Sequence, residues 1–297
     1  MARHPARPAS RLVPAHGLAG IGIIVAAELL LFGGNRIVGE WFTPVVWTGY
    51  VLLLDAVVAR LTGRSYLTTG RLELLLVALA SIAAWWLFEL YNAPRFWRGG
   101  DAARGLWWQY HRLEPDLFLR RVGYDWAFAT ILPALFLTAA ALRATVFARV
   151  RVRPWAPTPA LARASVAVGA AAVALPLLVV SAWLVPLVWL GFILLLEPLN
   201  ARAGRPSWLA DLARGDASRL CALLAAGAAC GVLWEFWNYW AATRWTYTVP
   251  YLGNVKVFEM PVLGYLGFPP FALECHAMYH WARARLLPDD GVPAPLI

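Results

Sequence analysis

Three observations predict an all-α, polytopic integral membrane bundle of about eight spanning helices, built as a tandem 4+4 parallel repeat. Apolar residues make up 61% of the 297 positions and charged ones 14%, too greasy a balance for a soluble domain of this size. Several apolar runs approach the roughly 20 residues that cross a bilayer. One passage also occurs twice: Pro44-Val45-Val46-Trp47-Thr48-Gly49-Tyr50 through Asp55 returns as Pro186-Leu187-Val188-Trp189-Leu190-Gly191-Phe192 through Glu197. The register carries on, with Arg60 matching Arg202 and Ser65-Tyr66-Leu67 matching Ser207-Trp208-Leu209. After a four-residue slip, Phe88-Glu89-Leu90-Tyr91-Asn92 matches Trp234-Glu235-Phe236-Trp237-Asn238.

Helices are predicted near 18–33, 41–59, 73–92, 122–142, 164–182, 184–200, 219–242 and 257–282. A short tail, 1–17, carries Arg3, Arg7 and Arg11 ahead of the first apolar run. That run continues through Glu28 to Phe32 with no clear small-x-small cleavage site before a soluble domain, so it reads as a retained span. The second helix carries Asp55. The third ends on Glu89 and Asn92, and a long loop, 93–121, leads to the fourth, which carries Asp125. The first repeat is thus 18–150, and the basic stretch from Arg149 to Pro154 opens a linker, 151–163. In the second repeat, 164–285, the fifth helix contains Pro176 and forms a tight hairpin with the sixth, which carries Glu197. The seventh ends on the Glu235 motif. The eighth is broken by Pro261, Gly264, Gly267, Pro269 and Pro270, and freed carbonyls of that kind persist where a helix lines a cavity. A tail, 286–297, follows. Four spans per half return the chain to its starting side, so the halves share orientation about a pseudo-two-fold along the membrane normal.

The net charge of +9 invites a nucleic-acid reading, but the basic residues are sorted by side. One set of loops, with both termini, holds 17 of the 26 Lys and Arg; the other holds nine, six of them in the 93–121 loop. Excess cation marks the cytoplasmic face. Both termini are therefore expected in the cytoplasm, and no nucleic-acid partner is expected. The Ala, Arg and Trp bias suggests a bacterial inner membrane. Cys221, Cys230 and Cys275 fall within helices without metal-ligand spacing and read as small core hydrophobes. His276 and His280 share a face four apart, a spacing that suits a metal with Glu274, but His280 beside Trp281 reads as a marker of the cytoplasmic interface, and no metal is expected.

An ionised acid at the bilayer centre costs roughly 2.5–3.5 kcal/mol on the lenient insertion scale, so such residues are protonated, paired or facing water. Glu89, Asp125, Glu235 and Glu259 are expected near the extracytoplasmic ends of their helices; Asp55, Glu197 and Glu274 lie nearer the cytoplasm. Glu235 and Asn238 are three apart on one helix face, as are Glu89 and Asn92, so each amide can orient its acid; polar helix–helix contacts would explain the same spacing. Of 17 Trp, the topology puts 14 on the extracytoplasmic side, leaving Trp155, Trp208 and Trp281. An aromatic belt populates both interfaces. The skew fits an outward-opening chamber lined by Trp234, Trp237, Trp86, Trp126 and Trp189. Aromatic faces stabilise a desolvated cation by about 0.5–2 kcal/mol each.

The stretch Trp234-Glu235-Phe236-Trp237-Asn238-Tyr239, then Arg244-Trp245-Thr246-Tyr247 and Leu263-Gly264-Tyr265-Leu266-Gly267-Phe268-Pro269-Pro270, resembles the small membrane lycopene cyclases and related compact membrane terpenoid cyclases. Those proteins are likewise built from duplicated sets of short spans. The resemblance covers about 40 residues of the second half and, more weakly, Trp108 to Leu135. It implies membrane acids that protonate a polyene end and close a ring without redox change or cofactor. Glu235 stands for the family's usual Asp, and its Pro-x-Glu-Glu motif is absent: Pro270 is followed by Phe271-Ala272-Leu273 before Glu274.

Three readings follow. The first is a cofactor-independent cyclase or isomerase of a polyisoprenoid lipid, with Glu235 as general acid, Asn238 orienting it, and Glu259, Glu89 with Asn92, or Glu274 as further acid–base groups. The second is a proton-coupled carrier or flippase using acids at two depths. The third is a non-catalytic membrane scaffold.

Overall fold

The computed structural model describes residues 14–93, 105–250, 252–286 and 295–297. Arg3, Arg7 and Arg11, part of the long loop with Trp97, and most of the C-terminal tail lie outside the described residues. Among the described residues the chain is predominantly helical, with seven helices long and apolar enough to cross a membrane, which makes it a multi-pass membrane protein.

In the first half, α1 (Ala15–Phe32) and α3 (Phe42–Thr62) form a hairpin joined by the short α2 (Arg36–Glu40). A one-turn helix, α4 (Tyr66–Thr69), leads to α5 (Arg71–Asn92). Strand β1 (Trp108–His111) then precedes α6 (Leu117–Ala129) and α7 (Ile131–Ala144), which together form one 28-residue apolar span interrupted at Thr130. The second half runs in the same order. Helices α8 (Pro159–Leu178) and α9 (Val185–Arg202) form a hairpin, α10 (Trp208–Ala213) is short, and α11 (Ser218–Trp240) leads to β2 (Arg244–Tyr247). A small hairpin of β3 (Lys256–Val257) and β4 (Met260–Pro261) and a 3-10 turn, Val262–Gly267, precede α12 (Phe268–Leu286).

Local contacts recur between the halves. Each hairpin is drawn tight at glycine: Gly20 of α1 lies against the Gly49 backbone of α3, and Gly169 of α8 lies against the Leu194–Leu195 backbone of α9. Without a hydrophobic drive between helices in lipid, such backbone approach provides the packing. The repeated acids of α3 and α9 serve the following one-turn helices. Asp55 accepts from the Ser65 hydroxyl at 2.7 Å and the Tyr66 amide at 2.8 Å. Glu197 accepts from the Ser207 hydroxyl at 2.6 Å and the Leu209 amide at 3.1 Å. Ser65 and Ser207 in turn cap α4 and α10 through the amides of Thr68 and Ala210. Both acids thus satisfy first-turn N–H groups that have no partner inside the helix.

The strands β1 and β2 pair antiparallel, Trp108 opposite Tyr247 and Tyr110 opposite Trp245. Two Trp-x-Tyr tripeptides, one from each half, thereby cross about Gln109 and Thr246. Helix α12 packs amid α5, α7, α9 and α11 and buries Glu274, His276 and His280. A deep ion pair ties it to α5: Glu73 accepts from the Tyr279 hydroxyl at 2.5 Å and from Arg283 Nε at 3.0 Å.

Two sequence expectations need correction. The eighth helix does not run over 257–282: residues up to Gly267 form the β-hairpin and 3-10 turn, and the helix is Phe268–Leu286. Pro269 and Pro270 fall in its first turn, where the missing N–H costs nothing, so they start a helix rather than break one. The fifth helix begins at Pro159, after a Thr158 cap that accepts from the Leu161 amide, earlier than the 164 boundary.

Candidate aromatic-cavity site

The helix ends Phe32, Phe42, Asn92 and Trp240 share one end of the bundle with the β1–β2 ribbon, and a cavity of about 480 Å³ opens beneath it. That lies within the range of small-molecule sites. Its wall is a chain of rings. Trp85 and Trp108 sit 6.1 Å apart, Trp108 and Trp189 6.3 Å, Trp189 and Phe271 5.4 Å, Phe271 and Trp234 5.9 Å, and Trp234 and Phe268 6.1 Å. These spacings suit offset and edge-to-face ring pairs.

Glu235 is the acid in that wall. It is fully buried on α11, and its Oε1 accepts from the Tyr247 hydroxyl at 2.7 Å, which itself accepts from Trp245 Nε1 at 2.8 Å. Its Oε2 is buried without a hydrogen-bond partner. Burial, with the Glu235 charge beside it, pushes the Tyr247 phenol well above its ordinary value. The phenol therefore stays protonated and donates to Oε1, which leaves Oε2 as the oxygen without a hydrogen-bond partner among the described residues. A buried acid with one committed oxygen and one uncommitted oxygen can deliver a proton to an apolar molecule.

Glu89, its counterpart on α5, is dressed differently. Three donors converge on its Oε1: Tyr110 hydroxyl at 2.5 Å, Trp108 Nε1 at 3.0 Å and Trp85 Nε1 at 3.2 Å. Burial and the Glu89 charge likewise push the Tyr110 phenol well up. Glu89 holds the outer aromatic wall together and is not among the cavity-lining residues.

Both asparagines chiefly serve the departing backbone, and Asn92 also hydrogen-bonds Glu89. Asn238 clamps β2, accepting from the Trp245 amide at 2.9 Å and donating to the Trp245 carbonyl at 2.8 Å. Asn92 does the same for the entry to β1, accepting from the Trp107 and Trp108 amides at 2.9 and 3.1 Å and donating to the Trp108 carbonyl at 3.0 Å. Both residues stand at the end of a helix, where the backbone turns back and its amides need acceptors.

Of the five tryptophans expected to line a chamber, Trp189 and Trp234 do so. Trp237 points the other way and donates to Glu28 Oε1 at 3.0 Å. Trp86 donates to Asp125 at 2.7 Å beneath the Arg121 guanidinium. Trp126 is partly exposed and donates to Thr48. Glu259 lies in the β3–β4 turn, 3.6 Å from Arg244. Glu274 sits deep in α12, away from the cavity lining, with neither oxygen hydrogen-bonded. His276 and His280 have ring centroids 4.3 Å apart, and His280 Nε2 lies 3.0 Å from the Ile297 carbonyl. The cavity residues beyond the sequence reading are Trp85, Trp108, Tyr110 and Tyr247 with Phe268 and Phe271. The Trp-x-Tyr tripeptide present in both halves is the signal that points to three of these six, Trp108, Tyr110 and Tyr247.

No family model matches this chain, and neither the curated proteins nor the solved structures contain a match.

Proposed function

We propose that this protein is a cofactor-independent cyclase or isomerase of a polyisoprenoid lipid, with Glu235 as its general acid. The observation that carries the reading is the unpartnered Oε2 of Glu235, buried in the wall of an aromatic cavity. In the reaction, Oε2 gives its proton to one carbon of a terminal alkene and leaves a carbocation. A neighbouring double bond attacks that cation to form the ring carbon–carbon bond. Loss of a proton from the adjacent carbon restores an alkene and reprotonates the carboxylate, so the product is an isomer. The faces of Trp108, Trp189 and Trp234 lower the energy of the intermediate cation in a site shielded from water.

The same reading takes the recurring contacts as a 4+4 duplication of parallel halves and counts α12 as the eighth span. It places the arginine-rich end and both termini in the cytoplasm of a bacterium, with the cavity in the outer leaflet. A carrier reading draws on Glu274 and Glu197, further buried acids with unpartnered oxygens at a different depth. The Asp55 and Glu73 carboxyls weigh against a proton path, since serine, tyrosine, arginine or backbone donors hold them.

The test is co-expression with linear polyprenoids, followed by extraction, chromatography and mass analysis. Wild type should yield a compound of unchanged mass and altered retention. Glu235→Gln, folded in detergent by gel filtration, should yield none. Undiminished product from that variant removes Glu235 from the assignment, and pH-gradient-driven lipid movement without new product favours the carrier.

A further inference from the structure

The connection between α7 and α8, residues 145–158, has no part in the cavity. It lies at the opposite end of the bundle, where α7 ends at Ala144, α8 starts at Pro159 and α11 starts at Ser218. Its middle is pinned as a strap across the corner between α10 and α11. The Val152 amide donates to the Gly215 carbonyl at 3.1 Å, the Trp155 amide to the Leu212 carbonyl at 3.0 Å, and the Ala217 amide to the Val150 carbonyl at 2.9 Å. Gly215 permits this closeness: its φ is +75°, and a Cβ there would come within 2.9 Å of the Val152 carbonyl oxygen.

The strap presents charge of one sign. Arg149, Arg151 and Arg153 are all exposed, and the sequence has no acid between Asp125 and Glu197. The corner beneath supplies two acids, and both are engaged. Asp211 pairs with Arg214 and, at 2.8 Å, with Arg219. Asp216 stands opposite Arg151, accepts from the Ser218 amide at 2.9 Å and interacts with the Arg151 charge. Among the described residues, Arg149 and Arg153 enter no ion pair.

The neighbours of the strap set its depth. Val146, just past the end of α7, is 70% exposed, and Leu161, in the first turn of α8, is 51% exposed. In a bilayer, these bare apolar side chains put the hydrocarbon boundary within a few residues of the strap on both sides. Its arginines therefore stand at the level of the lipid headgroups. Trp155, also half exposed, lies between Arg153 and α8, and an indole favours that same level.

We infer that the strap from Arg149 to Trp155 binds the phosphate headgroups of anionic phospholipids in the adjoining leaflet. A guanidinium meets a phosphate with two parallel hydrogen bonds, and arginines clustered beside a span gather anionic lipid. The backbone bonds to Gly215, Leu212 and Ala217 hold the strap in place beforehand, so binding need not order a loop. The inference stands apart from the cavity and from Glu235, and holds for an enzyme or a carrier alike.

Native mass spectrometry of the full-length protein in detergent tests this, with titration by dioleoyl phosphatidylglycerol or dioleoyl phosphatidylcholine. Wild type should bind phosphatidylglycerol roughly tenfold more tightly than phosphatidylcholine. Arg149→Gln/Arg153→Gln leaves the Arg151–Asp216 contact intact and should lose most of that preference. Arg202→Gln/Arg285→Gln, which removes equal charge from the same end, should keep it. Gel filtration of both variants checks folding. Equal binding of the two lipids by wild type overturns the inference. So does an equal loss in the two double variants, which would mean that net charge alone draws the lipid. Displacement of phosphatidylglycerol by millimolar inorganic phosphate would reveal a free-anion site instead and overturn the lipid assignment.

Discussion

Tyr247 and Glu235 are bound hydroxyl to carboxylate at 2.7 Å, across the junction between the β2 ribbon and the α11 helix. The bond fixes which carboxyl oxygen is free. It also joins the β1–β2 ribbon to the acid on α11, with Trp245 Nε1 as the next donor in the chain.

Tyr247→Phe should therefore lower turnover without unfolding the protein. It removes the donor to Oε1, lets the carboxyl rotate and orphans the Trp245 indole N–H. A loss of roughly 10- to 100-fold in kcat is expected, the usual scale for a misaligned acid. The pH–rate profile should move with it, and Tyr247→Trp should not restore it. An unchanged profile would mean that the phenol only fills space.

Tyr110 and Tyr247 also predict behaviour in alkali. Burial raises both phenols above the ordinary value of about 10. Above that pH the unfolded chain loses these protons while the folded chain keeps them, so the native state binds more protons and stability falls as pH rises. Below it the two states are equally protonated at these sites and the effect vanishes. Thermal unfolding in detergent from pH 8 to 11 should show a steeper drop for wild type than for Tyr110→Phe/Tyr247→Phe.

Asn92 and Asn238 should behave as stability residues. Replacing either with Leu orphans buried backbone amides of the strand it clamps, at a cost of about 1–3 kcal/mol. A lower Tm with little change in tryptophan emission from the opposite, arginine-rich end would match. Because β1 and β2 pair with each other, the double variant should lose less than the sum of the two singles.

These asparagines show where sequence reading reaches and where it stops. Apolar run length and the duplicated passage make the membrane helices legible, because both depend on residue type alone. The acids are legible for the same reason: a carboxylate in a 20-residue apolar run stands out whatever it touches. Helix rotation is another matter. Trp86 and Trp126 point toward Asp125 and Thr48, while Trp85, one residue away from Trp86, reaches the cavity. Four-residue strands such as Trp108–His111 are too short for alternation to register, and their partner lies far along the chain. The spacing of Glu235 and Asn238 places them on one face, but α11 ends at Trp240, so Asn238 serves the departing backbone instead.

The sharpest comparison is between Glu89 and Glu235, which occupy matching places in the two halves. Glu89 Oε1 collects three donors, and Glu89 is outside the cavity lining; Glu235 Oε1 accepts from one side chain, and its Oε2 has none. A carboxyl that gathers three donors on one oxygen is held by them, and Gln in its place keeps an oxygen there but offers all three donors a weaker acceptor. Glu89→Gln should therefore lower the Tm by several degrees while product formation in membranes falls only in proportion to the folded fraction. Glu235→Gln keeps the Oε1 acceptor for Tyr247 and loses only the transferable proton, so its Tm should stay near wild type while product disappears. The two variants, measured side by side for Tm and product, should separate along perpendicular axes. If Glu89→Gln removed product at wild-type stability, the acid would lie in the first half and the cavity assignment would have to be inverted.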